Sequence, residues 1–206
     1  MKSIIFSVFL LSLFLLPLIL ANKKKCYACH GVDSETCKQE EKECEEDSAC
    51  MTISEAFGSA GKESHSIYKR CALNLPCNKT FHVYSGRDVY LNFNTECCDG
   101  PLCNSGNYKM PADIQTEPKG RLCPNCFAFN TLQGCNATKS SVCIAEDDQC
   151  VRFRGTLKPP GQNDVDFSGQ GCGSKEACSL DYSALIGVKV TKQLEYTCYV
   201  PKASHP

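Results

Sequence analysis

Cysteines recur along this 206-residue chain at two matching sets of intervals. From Cys26 the gaps are 2, 7, 6, 5, 20, 5 and 19 residues, through Cys29, Cys37, Cys44, Cys50, Cys71 and Cys77 to Cys97. From Cys123 they are 2, 8, 7, 6, 21, 5 and 19, through Cys126, Cys135, Cys143, Cys150, Cys172 and Cys178 to Cys198. Seven consecutive gaps agree within one residue, so the chain holds one module twice. The first copy adds Cys98 and Cys103, giving ten cysteines against eight. Both counts are even, so each module can close on itself, although eight cysteines alone allow about 105 pairings. Eighteen cysteines belong to an oxidising compartment. With no Trp and few amphipathic runs of helical length, such modules lack a large apolar core. Each disulfide then contributes ~2–4 kcal/mol by constraining the unfolded chain.

The repeat leaves two segments outside it. Residues 1–21 read as a secretory signal peptide, with Lys2 ahead of an apolar run and Ala21 at the cleavage point. Residues 105–122, polar with two prolines, read as a linker between a first domain at 22–104 and a second at 123–206. The linker is expected to be open to proteases at Lys109, Lys119 or Arg121, releasing two folded halves. No second apolar run follows the signal, so a soluble, secreted protein without a membrane anchor is expected. Within the modules the long gaps alternate apolar and polar residues about breakers. Phe81 and Val83 precede a turn at Ser85–Asp88, and Val89, Leu91 and Phe93 follow it. Ile186, Val188 and Val190, then Leu194 and Tyr196, alternate in the last gap, while Pro159, Pro160 and Gly161 mark a tip. Each long gap is therefore predicted to be a β-hairpin bracketed by cysteines, in an all-β fold.

Chemistry is sparse. The formal charge of −1 becomes −2 once Lys2 leaves with the signal, and nothing points to nucleic acid. Lys23–Lys25 read as a solvated tail. Cys26/Cys29 and Cys123/Cys126 are CxxC pairs, but the compartment argues against zinc or redox use. His30, His65, His82 and His205 accompany no nucleophile motif, so no enzyme, cofactor or metal is expected. Residues 35–50 hold seven carboxylates and two lysines, read as a solvated loop, with a docking face for a basic partner as the sharper alternative. Asn78 and Asn136 open N-glycosylation sequons. Hairpin tips at Ser85–Asp88 and Lys158–Asp164 are the candidate interaction surfaces.

The string CCDGPLCN carries a resemblance. Cys97, Cys98, Cys103 and Asn104 match the CC-x4-CN ending of the Ly6/uPAR, or three-finger, family, in which three β-hairpin fingers leave a disulfide-knotted palm. That resemblance implies the pairs Cys26–Cys50, Cys29–Cys37, Cys44–Cys71, Cys77–Cys97 and Cys98–Cys103, with Asn104 bonded back into the palm. In the second module it implies Cys123–Cys150, Cys126–Cys135, Cys143–Cys172 and Cys178–Cys198. A complete domain followed by one lacking its last disulfide, together with CYACHGV, IYKRC, CCDGPLC and QGC, resembles the gamma-type phospholipase A2 inhibitors. The function so implied is stoichiometric inhibition of a secreted phospholipase A2. The alternative is an extracellular signalling ligand for a cell-surface receptor, and either form can be a homo- or hetero-oligomer.

Overall fold

The computed structural model describes residues 23–45, 47–59, 61–72, 76–86, 89–110, 120–180, 185 and 187–200. The expected signal segment, Arg87, Asp88, Ile186, His205 and the middle of the linker lie outside the described residues. The first module contributes β1 (Lys25–Gly31), β2 (Glu40–Glu43), β3 (Cys50–Ser59), β4 (Lys62–Cys71), β5 (Lys79–Ser85) and β6 (Val89–Cys98). The second contributes β7 (Leu122–Phe129), β8 (Lys139–Val142), β9 (Gln149–Lys158), β10 (Val165–Gly173) and β11 (Lys189–Tyr199). A short 3-10 turn, Glu176–Ser179, follows β10. All pairings are antiparallel, as hairpins dictate. The fold is all-β, two tandem modules of fingers on a cystine palm.

Nine disulfides close the palms. They are Cys26–Cys50, Cys29–Cys37, Cys44–Cys71, Cys77–Cys97 and Cys98–Cys103, then Cys123–Cys150, Cys126–Cys135, Cys143–Cys172 and Cys178–Cys198. No cysteine is free, and none bridges the modules. The sulfurs are the palms' apolar filling, with Cys26, Cys44 and Cys50 buried together in one and Cys123, Cys143, Cys150 and Cys172 in the other. Asn104 is buried beside the first palm. Its Oδ1 accepts the Tyr27 N–H at 2.9 Å, and its Nδ2 donates to Tyr27 O at 2.9 Å and Met51 O at 3.1 Å. A side-chain amide thereby ties the backbone of β1 to that of β3.

The two modules are not separate bodies. One eleven-stranded sheet runs through both, in the order β11-β9-β10-β5-β6-β3-β4-β1-β2, with β7 and β8 branching from β10. The seam is short: Tyr84 pairs with Cys172 and Val83 with Gly173. Beneath it two apolar cores cross the boundary. Met51, Ile53, Phe81 and Phe93 pack with Ala177 and Leu185. Phe57 and Val89 pack with Phe153, Leu157, Phe167 and Val188. Strand β3 explains the geometry, because it is buried from Cys50 to Gly58, polar and apolar residues alike. Met51, Ile53 and Phe57 take one face and meet the second module. Ser54, on the other face, accepts the Lys109 N–H at 3.0 Å.

Two expectations are corrected here. First, the start of the linker is strapped to the first module. Asn94 Nδ2 donates to Lys109 O at 3.1 Å, Gln39 Nε2 donates to Ser105 O at 3.1 Å, Lys69 Nζ donates to Gly106 O, and Tyr108 stacks on His65. Lys109 is therefore held in place rather than offered to a protease, and the shared cores oppose release of two halves. Lys69 itself is buried, and that burial lowers its pKa. Second, the last long gap is not a hairpin among the described residues: only β11 forms, and it pairs with β9. Ahead of it, Gly187 and Val188 turn their N–H groups to the buried Glu55 carboxylate, at 3.1 and 2.7 Å, instead of to a strand.

Candidate functional site

The longest finger of each module ends in a glycine turn. Gly61 sits at φ 76° between β3 and β4, and Gly161 at φ 65° between β9 and β10. These conformations cost L-residues with a Cβ more than they cost glycine. The two fingers flank an open cleft of about 410 Å³. One wall is polar, with Asp33, Lys62, Glu63 and Ser64; the other is apolar, with Phe129, Pro159, Pro160 and Val165. Phe57, Leu157 and Pro159 are its buried members.

The tip residues foreseen from sequence divide between two fates. Lys158–Asp164 flank the cleft, with Pro159, Pro160 and Gln162 in its wall. Ser85 does not point to solvent, and this corrects the reading of the third finger as a free tip. Ser85 is buried, and its hydroxyl lies 2.6 Å from Cys126 O and 2.8 Å from Gln170 O. The finger is a clasp on the second module because a small hydroxyl there satisfies backbone carbonyls of the neighbouring sheet. His82 joins the same clasp, its Nε2 2.9 Å from Oδ1 of the fully buried Asp148.

Electrostatics concentrate beside the polar wall. His65 Nδ1 meets Glu35 Oε1 at 2.6 Å, and Nε2 meets Glu63 Oε1 at 3.2 Å. Burial alone would lower the His65 pKa, but the bonds to Glu63 and Glu35 and their charges outweigh it, and the pKa is raised. Glu63 is held below the usual carboxylate range, first by a hydrogen bond from Tyr90 and then by His65. Tyr90 is pushed up to about 12 by burial and by Glu63. Burial, followed by the charge of Glu35, pushes Tyr108 further still.

The other foreseen features lie away from the cleft. The acidic strand β2 is exposed at the end of the sheet. Lys25 meets Glu41 at 3.0 Å, Lys23 meets Glu43 at 3.3 Å and Lys24 meets Asp99 at 3.1 Å, so the basic run is an ion-paired strand start, not a free tail. Of the described residues of the acidic stretch, Glu35 alone is drawn to the cleft, through His65. Asn78 and Asn136 are both exposed. Asn78 sits at φ 54° and accepts the Cys97 N–H through Oδ1, not through the nitrogen to which a glycan attaches. The sulfurs of Cys26, Cys44 and Cys71, and those of Cys123, Cys143 and Cys172, gather within 4.8 Å, but each belongs to a disulfide. A cystine sulfur is not the thiolate that binds metals.

Comparison with known proteins follows the same two-module division. Residues 22–106 and 119–204 each match the u-PAR/Ly-6 domain model. The chain is 25% identical over 149 residues to the phospholipase A2 inhibitor 31 kDa subunit of Naja kaouthia, covering 71% of this chain and 77% of that protein. It is 24% identical over 151 residues to the phospholipase A2 inhibitor NAI of Notechis ater, covering 72% and 73% respectively. Lymphocyte antigen 6 complex locus protein G6d of Mus musculus is 31% identical over 99 residues, covering 44% of this chain and 72% of that protein.

Proposed function

This chain belongs to the u-PAR/Ly-6 domain family, and we propose that it is an extracellular binding protein that inhibits a secreted phospholipase A2 by forming a stoichiometric complex. The observation that carries this reading is the likeness to two proteins named as phospholipase A2 inhibitors, extending over 71% and 72% of the chain and thus across both modules. Nine disulfides support an oxidising, extracellular setting. The cleft between the long fingers supports a binding mechanism. Its walls stand on cystine palms joined by one sheet, so little ordering entropy is lost when a partner loop enters. One wall offers charges and the other prolines and aromatics, the composition of an interface core with a polar rim. Glycans on Asn78 and Asn136 would leave the cleft open, since neither residue lines it.

The test is a titration of the purified protein against a panel of secreted phospholipases A2. Inhibition should saturate at a fixed molar ratio and not deepen with incubation once equilibrium is reached. Gln162→Trp, at an exposed position in the cleft wall, should weaken inhibition at least about tenfold, a loss of about 1.4 kcal/mol. No inhibition of any member at micromolar protein overturns the reading. It would favour the second one, a ligand for a cell-surface receptor, which membership of the u-PAR/Ly-6 domain family fits as well.

A further inference from the structure

A second space lies behind the cleft, between the modules. It is a cavity of about 80 Å³ with walls from both modules, including Leu91 and Val89 on one side and Phe153, Phe167 and Val188 on the other. Its lining is almost wholly carbon. The polar side chains that border it are committed elsewhere. Tyr84 Oη accepts the Ile144 N–H, Ser85 bonds to Cys126 O and Gln170 O, Gln170 Nε2 donates to Cys135 O, Tyr90 bonds to Glu63 and Tyr196 Oη donates to Ala177 O. A buried water needs about two to four polar partners, so water finds no stable place here. Apolar cavities of that kind take apolar guests; one of ~150 Å³ binds benzene. At about half that volume, this one suits a single alkyl chain end and excludes a ring system or two chains side by side.

The cavity and the cleft share Phe57 and Leu157, which form the partition between them. A chain that passes this partition leaves its head group in the cleft, where Lys62 supplies a cation and Asp33 and Glu63 supply anions. That charge set matches a head group bearing both signs. We infer that the inter-module cavity binds the chain of a single-chain zwitterionic amphiphile, a lysophospholipid, with its head group held in the fingertip cleft. The inference does not use the phospholipase reading: a protein that inhibited no enzyme would still bind the amphiphile.

Calorimetric titration with a chain-length series of lysophosphatidylcholines, each below its micelle concentration, tests this. Binding should be one to one, with affinity rising about fourfold per added methylene until the cavity is filled and then levelling off. Leu91→Phe, which fills the cavity, should abolish it. Lys62→Glu, at the exposed mouth, should weaken lysophosphatidylcholine several-fold and leave an uncharged alkyl glucoside unaffected. Absence of binding at every chain length, or binding indifferent to chain length or to Lys62→Glu, overturns the inference. If Leu91→Phe does not fold, methyl NMR of the unmodified protein decides instead. Ligand-induced shifts must then centre on Leu91, Leu157 and Val188, and shifts confined to other residues refute the site.

Discussion

His65, clamped at both ring nitrogens by Glu35 and Glu63, links β4 to the loop between β1 and β2. Its folded pKa is raised, so the stabilisation it brings is full below the unfolded value of about 6.5 and is lost as pH rises through the folded value. Glu63 has the opposite sign: its depressed pKa gives stabilisation above about 4.5 that is lost as pH falls through the folded value. The clamp is therefore strongest in mildly acidic solution. Denaturant midpoints of the wild type and His65→Gln should differ most near pH 6 and converge in alkali; a pH-independent difference would refute the clamp. Asn104 was legible in advance, because the CC-x4-CN ending gives it a fixed place. Glu55, Lys69 and Ser85 were not, since a carboxylate, an ammonium and a hydroxyl look alike in sequence whether they face water or bond backbone groups distant in the chain.

Strand β10 carries the seam through its run of glycines, SGQGCGS at residues 168–174. A Cβ at Gly171 would stand 1.9 Å from Tyr84 O, a backbone atom that cannot swing aside. Gly171→Ala should part β5 from β10 at a cost of about 1–3 kcal/mol. Hydrogen exchange at the Ser174 amide, which donates to His82 O at 2.9 Å, should quicken while the β3–β4 amides stay protected. Unchanged exchange at Ser174 would mean that the seam tolerates a methyl group. The hairpin β5–β6 was readable from alternation and β9–β10 from the breakers at its tip, and the matching gap lengths extended the reading to β3–β4. The last gap has the same length as its counterpart and a similar alternation, yet among its described residues the one strand is β11. Val188 went to the shared core and its N–H to Glu55, a demand set by the other module and invisible within the segment.

Across the whole molecule, repeat spacing revealed two modules but not their fusion, because cysteine intervals record local closure and say nothing of which faces meet. The fusion has a direct test. A protease site engineered into residues 111–119 and then cut should leave both halves co-eluting in native size-exclusion chromatography, held by the seam, the His82–Asp148 pair and two common cores. Separation into two folded peaks would restore the picture of independent domains. A sheet this wide also has rims, and open rims are templates on which further chains can grow into fibres. Here β2 presents only the charged residues Glu40, Glu41, Lys42 and Glu43, and β8 is four residues long. Strand β11 is broken by register shifts between Val190 and Lys192 and between Gln193 and Glu195. Charge, brevity and irregularity each spoil a rim as a template, so one continuous sheet carries its own guard against growth from its edges.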